Sequence, residues 1–168
     1  MMRILLITVI GLGLLACGNS GETSMVDLSN IQDSMETLSR GTMGSPVSLE
    51  TGYEGQIVIS SQERFEELWK QMHQGIGNDL DAMPEIDFDR YTVLGVFMGE
   101  MPSSGYSIRI SEITPQDDGS LKAIVYRSEP GPTCMNLTVI TYPHHIVKFK
   151  SYGREITIES TTFIEECE

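Results

Sequence analysis

Apolar positions recur along the chain with two different periods, and the change of period marks its elements. Phe65, Leu68, Trp69 and Met72 fall at i, i+3, i+4 and i+7, one face of an α-helix, while Glu63, Arg64, Glu66, Glu67, Lys70 and Gln71 cover the other. The spacing predicts a helix over residues 61–75. A capping box of Ser60 and Glu63 would start it, hydroxyl and carboxylate each satisfying a free backbone N–H, and Gly75 would end it. His73 lies off the stripe and is expected to be solvated. A helix this short persists only if its stripe is buried against another element.

From Val93 to Phe149 the pattern becomes β-like. Residues 92–98 are β-branched and aliphatic with no charge, as a central strand requires. After Pro102 and the Ser103-Ser104-Gly105 loop, Tyr106, Ile108 and Ile110 alternate with Ser107, Arg109 and Ser111, so the strand has one apolar and one wet face. Asp118 and Gly119 supply the turn of a hairpin whose second arm is 121–126. Residues 56–59 and 154–158 predict further strands. If the two hairpin arms are antiparallel neighbours, the loops 100–105 and 128–133 lie at the same end. Loops held by a rigid sheet are where binding concentrates, which makes Ser103, Ser104, Gly105, Tyr106, Pro130, Gly131 and Pro132 the candidate partner-binding residues. The predicted fold is α+β, a largely antiparallel sheet of about six strands with one amphipathic helix packed on it; a β-sandwich with one appended helix is the alternative.

The first 52 residues read differently. Arg3 precedes an apolar or small stretch from Ile4 to Leu15, too short for the roughly 20 residues that cross a bilayer and suited to a secretory signal. Ala16-Cys17 resembles the lipobox of bacterial lipoproteins, in which the cysteine becomes the acylated first residue; Gly18 after it, not aspartate, resembles lipoproteins released to the outer membrane. Residues 18–52 read as a flexible tether, with a short amphipathic helix suggested by Leu28, Ile31, Met35 and Leu38, and residues 53–168 as one domain.

Charge narrows the partners. The chain has 11 Lys+Arg against 24 Asp+Glu, a formal charge of −13 that becomes −14 when Arg3 leaves with the signal. Nucleic acid needs a basic face and is excluded on this balance. Five acids between Asp79 and Asp89 invite a calcium reading, yet the EF-hand spacing is missing. Cys134 and Cys167, the cysteines left once Cys17 carries lipid, are expected to pair in an oxidising compartment. His144 and His145 are adjacent, so on a strand they point to opposite faces and cannot easily share one ion. Ser104 lacks the G-x-S-x-G elbow of a hydrolase. No catalytic residue, metal site or cofactor is assigned.

Four motifs in one order, VLGVFMGEMP from Val93, SGYSIRI from Ser104, PGPTC from Pro130 and LTVITYPHHIVK from Leu137, resemble the PrcB C-terminal domain family. The resemblance covers about a third of the chain. It implies a non-catalytic module of a secreted or lipid-anchored bacterial protein that binds or stabilises a partner, since the family takes its name from an accessory lipoprotein of a cell-surface protease complex. The combined expectation is an outer-membrane lipoprotein, facing the periplasm or the exterior, that binds an extracytoplasmic protein, a protease among the candidates. A lipoprotein binding a small ligand or metal ion is the alternative.

Overall fold

A computed structural model describes residues 30–42, 44–49, 52, 54–74 and 83–167. Cys17, the tether 18–24, Leu28, Gly75, Asp79 and Asp81 lie outside the described residues. Strands β1 (Glu36–Gly41) and β2 (Glu54–Ile59) are followed by helix α1 (Gln62–Met72) and by β3 (Thr92–Met98), β4 (Ser107–Pro115), β5 (Leu121–Pro130), β6 (His144–Phe149) and β7 (Ile156–Glu165). Among the described residues, no helix is long and apolar enough to cross a membrane.

The fold is α+β, with one amphipathic helix on a largely antiparallel sheet. The strands divide between two sheets: β1-β6-β3-β2, antiparallel throughout, and β4-β5-β7, in which β4 and β5 are antiparallel and β5 and β7 parallel. The four-stranded sheet is the middle layer. On one face Val93, Phe97, Ile146 and Ile59 meet Phe65, Leu68, Trp69 and Met72 of α1. On the other, Leu94, Val96, Met98, Val147 and Phe149 meet Ile108, Ile110, Ile113, Leu121, Ala123 and Val125 of the second sheet. Every residue of β3 is therefore buried, which explains its uninterrupted apolar run.

Helix α1 starts one residue later than its expected cap. Ser61, not Ser60, has extended backbone and accepts the Arg64 N–H through its hydroxyl, so the Ser60–Glu63 box does not form. His73 is half-buried instead of solvated: its ring stacks on Trp69 at 4.6 Å and its Nδ1 meets the Trp69 carbonyl at 2.8 Å. A larger difference lies before β2. In place of the suggested helix around Ile31 and Met35 there is a single 3₁₀ turn, Gln32–Ser34, and then β1. Ile31 is fully buried in the core between the sheets, and Gln32 Oε1 accepts the Ile113 N–H at 2.8 Å. These residues lie in the stretch read as tether, and pairing with β6 outweighs a helix too short to hold itself.

The hairpin turn follows its residues. Gly119 has φ +85, and Asp118 accepts both the Ser120 N–H and its hydroxyl; these bonds hold the Asp118 carboxyl below its usual range. Pro143 stands immediately before β6, where its missing N–H costs no ladder bond. The final strand reaches Glu165, well past the expected residue 158.

Candidate functional site

The two loops that flank the hairpin do meet. Entering β4, residues 99–106 run beside the segment 131–143 that leaves β5. Met101 and Thr141 exchange backbone hydrogen bonds of 2.8 and 3.0 Å. The Ser104 N–H donates to the Leu137 carbonyl at 3.0 Å, and the Ser104 hydroxyl accepts the Leu137 N–H at 2.9 Å. Thr141 Oγ1 donates to the Ser103 carbonyl at 3.0 Å. Gly105 has φ +97, and a Cβ there would collide with Asn136 Oδ1 and reach Pro130 Cβ at 3.0 Å. Only glycine fits that crossing.

The C-terminus closes the cluster. Gly131 donates its N–H to the Glu165 carbonyl at 2.7 Å, and Thr133 Oγ1 donates to the Cys167 carbonyl at 2.9 Å. Cys134 and Cys167 form the expected disulfide, with Cα atoms 4.9 Å apart. Ser103, Ser104, Gly105, Tyr106, Pro130, Gly131 and Pro132 are thus gathered at one end, but much of their bonding is internal. Gly131 is buried, Tyr106 packs on the core, and the Ser104 hydroxyl is committed to Leu137.

What this end displays lies in the next residues along. Met135 is 101% exposed, Leu137 73%, Ile140 49% and Val139 41%. The segment has no regular secondary structure, yet it is fixed by the disulfide at Cys134, by Ser104 in its middle and by Met101 at Thr141. The result is an apolar segment held rigid and left in water. Sequence reading missed it because four apolar residues in six look like one more buried strand; the only cue was the lack of strict alternation.

The adjacent histidines serve the framework. Their rings point to opposite faces of β6. His145, 4% exposed, accepts the Ile110 N–H on Nδ1 at 2.8 Å, so its proton lies on Nε2, which reaches Thr37 Oγ1 at 3.0 Å. Burial, with Arg40 and His144 nearby, lowers its pKa to about 4. This one side chain joins β6 to β1 and to β4 of the other sheet. His144 donates from Nδ1 to the Tyr142 carbonyl and accepts the Ser39 hydroxyl on Nε2, both at 3.0 Å; burial lowers its pKa as well. The Ser39–His144 pair has the spacing of a nucleophile and base, but a backbone carbonyl, not a carboxylate, orients the ring. The cleft beside it holds about 10 Å³, about the room one water needs.

Among the described residues no group of three or more His, Cys, Asp or Glu is placed to hold a metal ion. Glu85, Asp87 and Asp89 of the acidic loop are exposed, and Asp87 caps the Asp89 N–H at 3.1 Å.

No curated protein and no solved structure matches the chain. Residues 92–150, which run from the first residue of β3 to the residue after β6 and leave out α1, β7 and Cys167, match the model of the family described as PrcB C-terminal, the family that the motifs of this stretch resemble.

Proposed function

We propose that the chain is a non-catalytic, lipid-anchored accessory module that binds another extracytoplasmic protein, a protease among the candidates, and stabilises the complex. The family match to residues 92–150 favours association with a protease complex. The observation that carries the reading is the clamped apolar segment from Met135 to Ile140. Keeping such side chains in water costs about 25 cal/mol for each Å² of apolar surface, and a partner that covers them recovers that free energy. Ala16-Cys17 supports the anchor, and the acidic balance keeps the domain soluble beside a membrane.

The test uses the full-length chain in its native membrane with a photo-crosslinking residue at position 137 or, as control, at Val58 on β2. One protein captured at 137 and not at 58, and lost from co-purification on Leu137→Asp with an unchanged melting temperature, supports the reading. Recovery of the chain alone, or substrate turnover by the purified chain, counts against it. The intact mass of the membrane-extracted protein tests the anchor, since acylation at Cys17 adds the mass of its fatty chains.

A further inference from the structure

The outer face of the second sheet carries a groove of about 320 Å³ near the same end. Its floor comes from cross-strand neighbours: Arg109 of β4 opposite Tyr126 of β5, and Ser128 of β5 between Ser107 and Phe163. Arg40 of β1 forms one wall. The Arg109 guanidinium lies over the Tyr126 ring, 5.0 Å from its centre, and the Tyr126 and Phe163 rings are 5.3 Å apart. Stacking of this kind fixes the plane of a guanidinium and leaves its N–H edge free.

The basic side chains of the described residues divide into two groups. Arg64, Lys70, Lys122, Arg127 and Lys148 each hold a carboxylate within ion-pair distance. Among the described residues Arg40 and Arg109, like Arg90, Lys150 and Arg154, have none, although acids outnumber basic residues 24 to 11, and of these Arg40 and Arg109 share the groove. Two unpaired guanidinium groups therefore line one groove on a strongly acidic protein. A second observation is independent of charge: Ser128 Oγ is buried there without a hydrogen-bond partner, a condition that costs about 1–3 kcal/mol. Arg127 also lines the groove, but its charge is held by Glu54 at 2.6 Å. Glu165 also lines the groove, and its carboxylate biases an incoming anion towards Arg40 and Arg109.

We propose that this groove binds a carboxylate presented by a peptide, received by the Arg40 and Arg109 guanidinium groups, with its apolar neighbour on Tyr126 and Phe163. Guanidinium forks match a carboxylate with paired hydrogen bonds, and the aromatic floor suits an organic acid better than a hydrated inorganic anion. The groove adjoins the loop end through Ser128 and Pro130, so the identity of the ligand rests on the reading of this end as a protein-binding surface; the groove's selectivity for carboxylate is measurable without it.

The probes are N-acetyl-phenylalanine, its amide and inorganic phosphate, titrated into the full-length chain in detergent and followed by NMR at Arg109 and Tyr126. The acid is expected to give saturable shifts at both residues and the amide none. Arg40→Gln and Arg109→Gln each weaken the acid about tenfold, about 1.4 kcal/mol, with unchanged circular dichroism and melting temperature, both positions being exposed. Equal response to acid and amide, or undiminished binding in both variants, overturns the site. Phosphate binding as tightly as the acid makes it a site for free anions and overturns the assignment to a peptide carboxylate. Failure of these titrations leaves capture through Leu137 untouched, and failure of that capture leaves these titrations untouched, so the two readings fall separately.

Discussion

At the scale of single residues, His145 makes the strongest demand on its surroundings. It is neutral in the fold, with a pKa of about 4 against the ordinary 6.5, so between those values the unfolded chain binds a proton that the folded chain refuses. Stability is therefore constant with respect to this group above about pH 6.5, falls as pH drops towards 4, and levels off below. The loss amounts to roughly 3 kcal/mol at most, and His144, also lowered, adds to it with the same sign. Urea unfolding at pH 7 and at pH 4.5 measures the drop. His145→Leu leaves the Ile110 N–H without an acceptor and costs about 1–3 kcal/mol at pH 7, but its stability then changes less between the two pH values than that of the parent. Equal slopes in parent and variant would falsify the assignment of a neutral His145. Gly131 gives a second residue-level expectation. A Cβ there would lie 2.6 Å from the Glu165 carbonyl oxygen that the Gly131 N–H itself binds, so Gly131→Ala must push β7 away. The substitution is expected to cost about 1–3 kcal/mol, read as a lower thermal midpoint with faster exchange of the amide at position 131, which donates to Glu165.

At the scale of elements, what was legible in the sequence depended on whether an element's own residues carried its instructions. β3 is covered on both faces, so its burial is written as an unbroken apolar run; α1 has one buried stripe, and its 3.6 period shows; Gly119 at φ +85 and Asp118 make the β4–β5 turn from local residues. β1 has no such signature. Thr37 and Ser39 are polar, and they are held because their hydroxyls hydrogen-bond the rings of His145 and His144 on β6, a pairing over a hundred residues away that no local pattern reveals. The choice between one sheet and the two of a sandwich stayed open for a similar reason: alternation tells which face of a strand is buried, not which neighbour buries it. The loop cluster was read correctly as a meeting of two ends of the hairpin, whereas the exposed run from Met135 to Ile140 was not, because apolar residues in water and apolar residues in a core are spelled alike. The buried turn before β1 yields a direct test. Ile31 is fully buried between the sheets, so Ile31→Ala is expected to destabilise the whole domain by about 2–4 kcal/mol. A change under about 0.5 kcal/mol in urea unfolding, as for an exposed tether, would show that this segment does not belong to the fold.

For the whole molecule, the question is what keeps β7 in place. The strand lies at the edge of the second sheet, is exposed along most of its length and leaves Phe163 and Ile164 49% and 66% exposed, so burial contributes little to holding it. Its ladder with β5 supplies direction, and the Gly131–Glu165 hydrogen bond and the Cys134–Cys167 disulfide supply attachment at the loop end. The covalent ring has a sequence separation of 33 and contains both β6, in the inner sheet, and β7, in the outer one. One bond therefore restricts the two sheets together in the unfolded chain, and for a ring of this size the chain-entropy account gives about 3–4 kcal/mol. Cys134→Ala with Cys167→Ala is expected to lower the urea midpoint by a corresponding amount. The effect should also have a place. Amides of β7 from Ser160 onward lose their protection while those of β3 keep theirs, and because Cys134 anchors the start of the apolar segment, capture through position 137 weakens as well. If the double variant unfolds as one unit, with β3 and β7 amides exchanging at the same free energy as each other, the disulfide acts only through the unfolded state and the edge strand is held by its ladder alone.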